Sequence, residues 1–156
     1  MSTETTTQPQ SRNGSTPDIA VLAWVRLMRV YHKMNRRTAD EMKQWNLTVS
    51  RFDVLNQAGV REGRTQQEIA DALLVTKGNI VQLLDGMEAD GLLYRRRRGR
   101  NNHIFLTDAG RELREKSVTC HEDRIARDMS ALTPEEQQTL TTLLRKLDRS
   151  LDASDK

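Results

Sequence analysis

Residues 65–110 read TQQEIADALLVTKGNIVQLLDGMEADGLLYRRRRGRNNHIFLTDAG. The stretch opens on Thr65-Gln66-Gln67-Glu68, a capping box in which the threonine oxygen takes one free backbone N–H and the glutamate reaches back to another. The short helix behind it places Ile69, Ala70 and Leu73 inward. Val75-Thr76-Lys77 then turns the chain into a second helix, with Ile80, Leu83, Leu84 and Met87 on one face. Gly91 stands where a helix end takes a left-handed residue. Leu92 to Arg96 and His103 to Leu106 read as two short strands, joined by a tip of Arg97-Arg98-Gly99-Arg100-Asn101-Asn102 whose Gly and Asn suit positive φ. Thr107 caps a further helix that reaches about Ser130.

Upstream, Thr16-Pro17-Asp18 is a helix start, with a capping hydroxyl, a proline for the first position and an acid for the positive end of the dipole. Ile19, Leu22, Val25, Met28, Tyr31 and Met34 follow at steps of three, with Met42 and Trp45 beyond, so this helix runs to about Gln44. Thr48 or Ser50 caps the next helix, which carries Phe52, Leu55 and Ala58 and stops between Gly59 and Gly63. Downstream, Thr133-Pro134-Glu135-Glu136 starts a last helix, on which Leu140, Leu144, Leu147 and Leu151 make a heptad-like seam with Leu143 beside it. The expected organisation is a polar disordered tail over residues 1–15, an N-terminal helix over 16–47, a central domain over 48–107, C-terminal helices over 108–151 and a polar tail over 152–156. The fold class is mostly α with a small β-hairpin.

The 156 residues suit one domain with an added helical module, and 36% hydrophobic against 30% charged residues implies a large solvated surface. A net charge of +3 says little about partners until its distribution is known. The lone cysteine, Cys120, excludes an internal disulfide. No apolar run nears the roughly 20 residues of a membrane span, and the Ser/Thr/Gln-rich start has no signal core. A cytoplasmic protein without membrane contact is expected.

Helix, tight turn, helix and two-stranded hairpin, in that order, is the layout of a winged helix-turn-helix. An α-helix fits the major groove of DNA, and the side chains of its exposed N-terminal part reach base edges. Here these are Thr76, Lys77, Asn79 and Gln82: amides that bond adenine in two places and an amine that reaches guanine or phosphate. Gly78 within the same turn lets a backbone approach closely. The hairpin holds Arg95, Arg96, Arg97, Arg98 and Arg100 and no acid. Five guanidiniums so close repel one another unless a polyanion is present, and arginine in a narrow minor groove reads DNA shape. The nine residues are the candidate DNA contacts.

The ordered set T-x-x-E-[IL]-A, L-x-x-[ML]-E-x-x-G-L-[LV], an arginine-rich wing and L-T-x-x-G over residues 65–110 resembles the MarR family of bacterial regulators, and with the flanking helices the likeness covers about residues 19–151. The resemblance implies a triangular homodimer paired through its first and last helices and the end of the fifth, each winged domain reading half of a pseudo-palindromic operator, usually as a repressor. It places Arg100 at the arginine of the family's wing motif Asp-x-Arg, and Arg98 at the aspartate. The Asp–Arg bond that orients the wing in the family is therefore missing, and a wing that stays loose until DNA orders it is expected. The resemblance also implies a small aromatic or anionic effector between the dimer helices and the DNA-binding lobe. The candidate residues are Trp24, Met28, Tyr31, His32, Arg51 and Phe52, although a Met and aromatic stripe at helical spacing is more often core.

Cys120 would sense redox state only if neighbours such as His121 and Arg124 lowered its pKa; an incidental cysteine is the expectation. Cys120-His121 alone cannot supply a tetrahedral metal shell, and no cofactor is implied. Walker, H-E-x-x-H and G-x-S-x-G motifs are missing, and His32, His103 and His121 are scattered, so the chain does not read as an enzyme. The alternative to a DNA-binding regulator is a winged-helix protein-interaction module, in which the arginines meet acidic side chains.

Overall fold

The computed structural model describes residues 18–154. The expected tail over 1–15, Thr16 and Pro17 of the first cap, and the last two residues lie outside the described residues. Packing divides the chain into two units, residues 1–33 and 34–156.

The described part of the first unit belongs to helix α1 (Ile19–Met42). Asp18 caps it, its carboxylate accepting from the Ala20 N–H at 2.9 Å. Ile19, Leu22, Val25 and Tyr31 of its apolar stripe are exposed, as is Trp24.

The second unit holds the last turns of α1, a 3-10 turn (Lys43–Trp45), α2 (Val49–Val60), α3 (Gln66–Ala72), α4 (Lys77–Ala89), β1 (Leu93–Arg98), β2 (Asn101–Leu106), α5 (Asp108–Met129) and α6 (Pro134–Ser154). Hydroxyl caps start four of these helices: Thr48, Thr65, Thr76 and Thr107 each accept from the backbone N–H three residues on. At α6 the Glu136 N–H donates to the Thr133 hydroxyl while the Glu136 carboxylate takes the Thr133 N–H at 2.8 Å. Helix α6 continues to Ser154, through part of the expected C-terminal tail.

One core gathers the inward faces of all the central elements. Met42, Leu47, Phe52, Leu55, Ile69, Ile80, Leu84 and Met87 from the helices meet Leu93, Ile104 and Leu106 from the hairpin, all buried. The strands are longer than the sequence suggests. Arg97 pairs with Asn102 and Arg98 with Asn101, leaving only Gly99-Arg100 as the turn. Gly99 takes φ +61 and Arg100 stays out of the left-handed region, as in a two-residue turn that needs glycine at its first position only. Asparagine is disfavoured in strands, which is why local reading widens this loop; ladder hydrogen bonds override the preference.

Hairpin and helices are tied at the backbone. Ile104 exchanges hydrogen bonds with the segment before α3: its N–H donates to the Arg64 carbonyl at 2.9 Å and its carbonyl accepts from the Gly63 N–H at 3.1 Å. Across the molecule, the Thr107 N–H donates to the Leu92 carbonyl at 3.1 Å and the Thr107 hydroxyl to the Gly91 carbonyl at 2.6 Å. This brings the first turn of α5 onto the start of β1 so closely that a Cβ on Gly110 would lie 1.9 Å from the Leu92 carbonyl oxygen. The L-T-x-x-G pattern is thus a cap plus a backbone crossing. Among the described residues, no helix is long and apolar enough to cross a membrane.

Gly110→Ala forces backbone apart at that crossing and is expected to cost about 1–3 kcal/mol, the usual penalty of overpacking. Gly86→Ala, where a Cβ meets nothing within 4 Å, is expected to stabilise α4 by up to about 1 kcal/mol through helix propensity. Thermal unfolding followed by circular dichroism compares the two; equal midpoints would refute the crossing. The α3 capping box predicts a pH effect. The Thr65 N–H and then its hydroxyl, with Arg61 adding to them, hold the Glu68 carboxyl at about 2 against an ordinary 4.5. Because the folded value is the lower one, the contribution is complete above about 4.5 and vanishes as pH falls towards 2. Glu68→Gln should flatten the stability profile across that window and lower stability at neutral pH.

Candidate nucleic-acid interface

The first turn of α4 is solvent-facing. Thr76 uses its hydroxyl oxygen to cap the helix, accepting from the Asn79 N–H at 3.3 Å. Lys77, Gly78, Asn79 and Gln82 are exposed, while Ile80 and Leu84 anchor the opposite face in the core. A Cβ on Gly78 would meet nothing within 4 Å, so the fold itself does not require this glycine. The helix therefore offers amide and amine groups on a turn with an unusually low backbone profile.

The hairpin divides its five arginines by strand alternation, since successive side chains point to opposite faces. Paired residues share a face, so Tyr94, Arg96 and Arg98 stand with Asn101, His103 and Phe105, whereas Leu93, Arg95 and Arg97 stand with Asn102, Ile104 and Leu106. On the first face, the Tyr94 and Phe105 rings stack with centroids 5.5 Å apart. The Arg96 guanidinium lies 5.4 Å from the Tyr94 centroid and 5.6 Å from that of Phe105, and Arg98 lies 5.9 Å from Phe105. Rings at that distance attract a cation without neutralising it. Arg97 reaches the Gly99 carbonyl at 3.3 Å, and Arg100 is exposed on the turn.

Arg95 differs from the other four. Only 17% of its side chain is exposed, and its terminal nitrogens pair with Glu88 at 2.6 Å and Asp85 at 2.7 Å. Its backbone N–H also donates to Glu88, at 2.9 Å. Its two terminal nitrogens are engaged within the chain, while its buried Nε has no partner among the described residues, so Arg95 does not stand free of carboxylates as the other wing arginines do. Sequence reading does not single out Asp85 and Glu88. Val81, Asp85 and Glu88 do recur at helical steps, but nothing local shows that Arg95 meets that face. At the hairpin's base, this pairing with α4, the Ile104 backbone bonds and the His103 Nδ1 contact with the Gly63 carbonyl at 2.7 Å hold the strands.

The effector candidates fall in both units. Trp24 and Tyr31 are exposed in the first, where Tyr31 makes an edge contact with the exposed His32 and Met28 is half-buried. Arg51 and Phe52 belong to the second. Arg51 pairs with Asp90, and Phe52 is a buried core ring against His121, centroids 4.8 Å apart.

Cys120 sits beside Glu41, its thiol 3.4 Å from the carboxylate. Burial, and then Glu41, push the thiol pKa up, the opposite of a reactive thiolate. His121 and Arg124 serve Glu41 instead, at 3.1 and 3.0 Å. Burial works to raise the Glu41 carboxyl, but hydrogen bonds from His121, Arg124 and Cys120 outweigh it and hold it low. Nearby, burial raises Asp53, with His121 partly opposing. Among the described residues, no group of three or more His, Cys, Asp or Glu side chains is placed to hold a metal ion.

The MarR family pattern matches residues 45–101. An uncharacterized HTH-type transcriptional regulator of Bacillus anthracis is 31% identical over 133 residues, covering 83% of this chain and 88% of its own. The structure of the Staphylococcus aureus MepR–DNA complex superimposes with a TM-score of 0.75 at 26% identity, over 81% of this chain and 96% of that one. AbsC, a MarR family transcriptional regulator from Streptomyces coelicolor, shares the fold with a TM-score of 0.81 at 20% identity, over 90% and 99% of the two chains. Helix order, paired hairpin and length of match agree, and the chain belongs to the MarR family of helix-turn-helix transcriptional regulators.

Proposed function

We propose that the chain is a cytoplasmic, sequence-specific DNA-binding repressor that acts as a homodimer on a pseudo-palindromic operator. The observation that carries the reading is the pairing of two surfaces. Thr76, Lys77, Asn79 and Gln82 present hydrogen-bonding groups at the start of α4, and Arg96, Arg97, Arg98 and Arg100 project from the adjoining hairpin with no carboxylate partner among the described residues. Amides and an amine suit base edges in the major groove. Arg97 and Arg100 at the tip suit the minor groove, and Arg96 and Arg98 on their aromatic platform suit the flanking phosphates. The relative solved with DNA, MepR, supports the same use of the fold.

A second copy accounts for the terminal helices. Leu143, Leu144, Leu147 and Leu151 of α6 are 40–60% exposed, a seam that water does not favour. Two winged domains held by such a seam read two half-sites, and a small aromatic or anionic effector that changes their separation would modulate binding. That effector must bind the two states unequally. Trp24, Met28, Tyr31, His32 and Arg51 remain its candidates; Phe52 would have to leave the core to take part.

Gel-shift titration against the DNA flanking its own gene, across a salt series, tests the reading. Arg98→Ala with Arg100→Ala should weaken binding and lower the salt slope by about 0.9 for each phosphate no longer neutralised. Unchanged affinity and slope would remove the wing from the interface, and indifference to every duplex at low salt would favour a protein-docking module. Leu147→Asp should shift the mass seen by light scattering from twice the 17.9 kDa chain mass to once; a persistent dimer would place the seam elsewhere.

A further inference from the structure

We infer that Asp85, Glu88 and Arg95 form a clamp that fixes the angle of the wing to the recognition helix, which makes the two acids positioning residues for sequence-specific binding; the inference rests on the DNA-binding reading above. The Glu88 carboxylate takes both the Arg95 side chain, at 2.6 Å, and the Arg95 backbone N–H, at 2.9 Å. It therefore grips strand and side chain at once. Asp85, one turn earlier on α4, holds the other terminal nitrogen at 2.7 Å, and that nitrogen also reaches the Val81 carbonyl at 3.4 Å. Three successive steps of one α4 face thus converge on one residue of β1. A planar guanidinium suits such a two-sided grip, and an ammonium does not.

Leverage makes the angle matter. The turn at Gly99-Arg100 lies six residues beyond Leu93, about 20 Å at strand rise. A swing of about 10° at the base moves the tip by about 3 Å, as far as a whole hydrogen bond. The edge of β2 is tied to residues 63–65, but among the described residues it is the clamp that joins β1 by hydrogen bonds to the helix carrying Lys77, Asn79 and Gln82. The two acids also stand against simple electrostatics. Asp85 and Glu88 side chains are 60% and 38% exposed beside a cationic hairpin, where they subtract from its attraction for phosphate. Attraction alone gives them a negative effect on binding; positioning gives them a positive one.

The test uses the full chain with two duplexes: one selected by the wild-type protein from a random-sequence library, and a scrambled version of it. Asp85→Asn with Glu88→Gln adds positive charge to each subunit. The clamp predicts equal or tighter binding to the scrambled duplex, together with a fall of about tenfold or more in preference for the selected one, the scale of discrimination that a single bidentate base pairing supplies. Arg95→Lys, which keeps the charge, should lose the same preference. Preference retained in either variant would overturn the proposal; if Arg95→Lys keeps it, Arg95 acts as a plain cation. Amide hydrogen exchange on the DNA-free protein separates this failure from failure of the DNA reading. Faster exchange across residues 93–106 in both variants, with the α2 core still protected, supports the clamp; unchanged exchange rejects it whether or not the protein binds DNA.

Discussion

Burial of Leu93, Ile104 and Leu106 among the helices is the constraint from which the surface follows. A two-stranded hairpin alone is marginal in water. Here its inner face fills the core against Ile69, Ile80, Leu84 and Met87. Because strand side chains alternate, committing these three residues inward also decides which arginines stand on each face. The cationic face is a consequence of the apolar one. The Gly110 crossing adds a second fixed point, since α5 starts where β1 starts and the base of the hairpin has little room to slide.

Charge is then sorted by environment. An arginine beside two carboxylates at the base becomes structure, and arginines over aromatic rings or at the turn remain available to a polyanion. The same sequence run thus contains one ion-paired arginine and four with no carboxylate partner among the described residues. The hydrogen bonds that join β1 to α4 lie at the base of the hairpin, at Arg95, and not within its tip.

A second cluster of charge lies where the last turns of α1 meet α5 within the larger unit. Glu41 collects His121, Arg124 and the Cys120 thiol, while Arg124 continues to Thr38 and Asp128. Half-buried pairs of this kind gain strength from low solvation but tolerate no missing partner. The cluster ties the end of α1 to the middle of α5. It also holds the Cys120 thiol in a hydrogen bond to Glu41, in surroundings that push its pKa up.

Much of this was legible along the chain. Thr48, Thr65, Thr76, Thr107 and Thr133 announce helix starts because capping is settled within three residues, and the spacing of Ile80, Leu84 and Met87 names the buried face because helical periodicity is local. The ordered motifs over residues 65–110 carried the family as well. Tertiary structure alone decided that the strands extend to Arg98 and Asn101, that Gly110 lies under a carbonyl, and that Arg95 turns inward while its four neighbours do not. Each depends on atoms distant in the chain: ladder hydrogen bonds across a turn, a backbone crossing from Leu92, and two carboxylates on another helix. Five arginines identical in local sequence differ in what they can bind because only the folded chain determines which of them meets an acid.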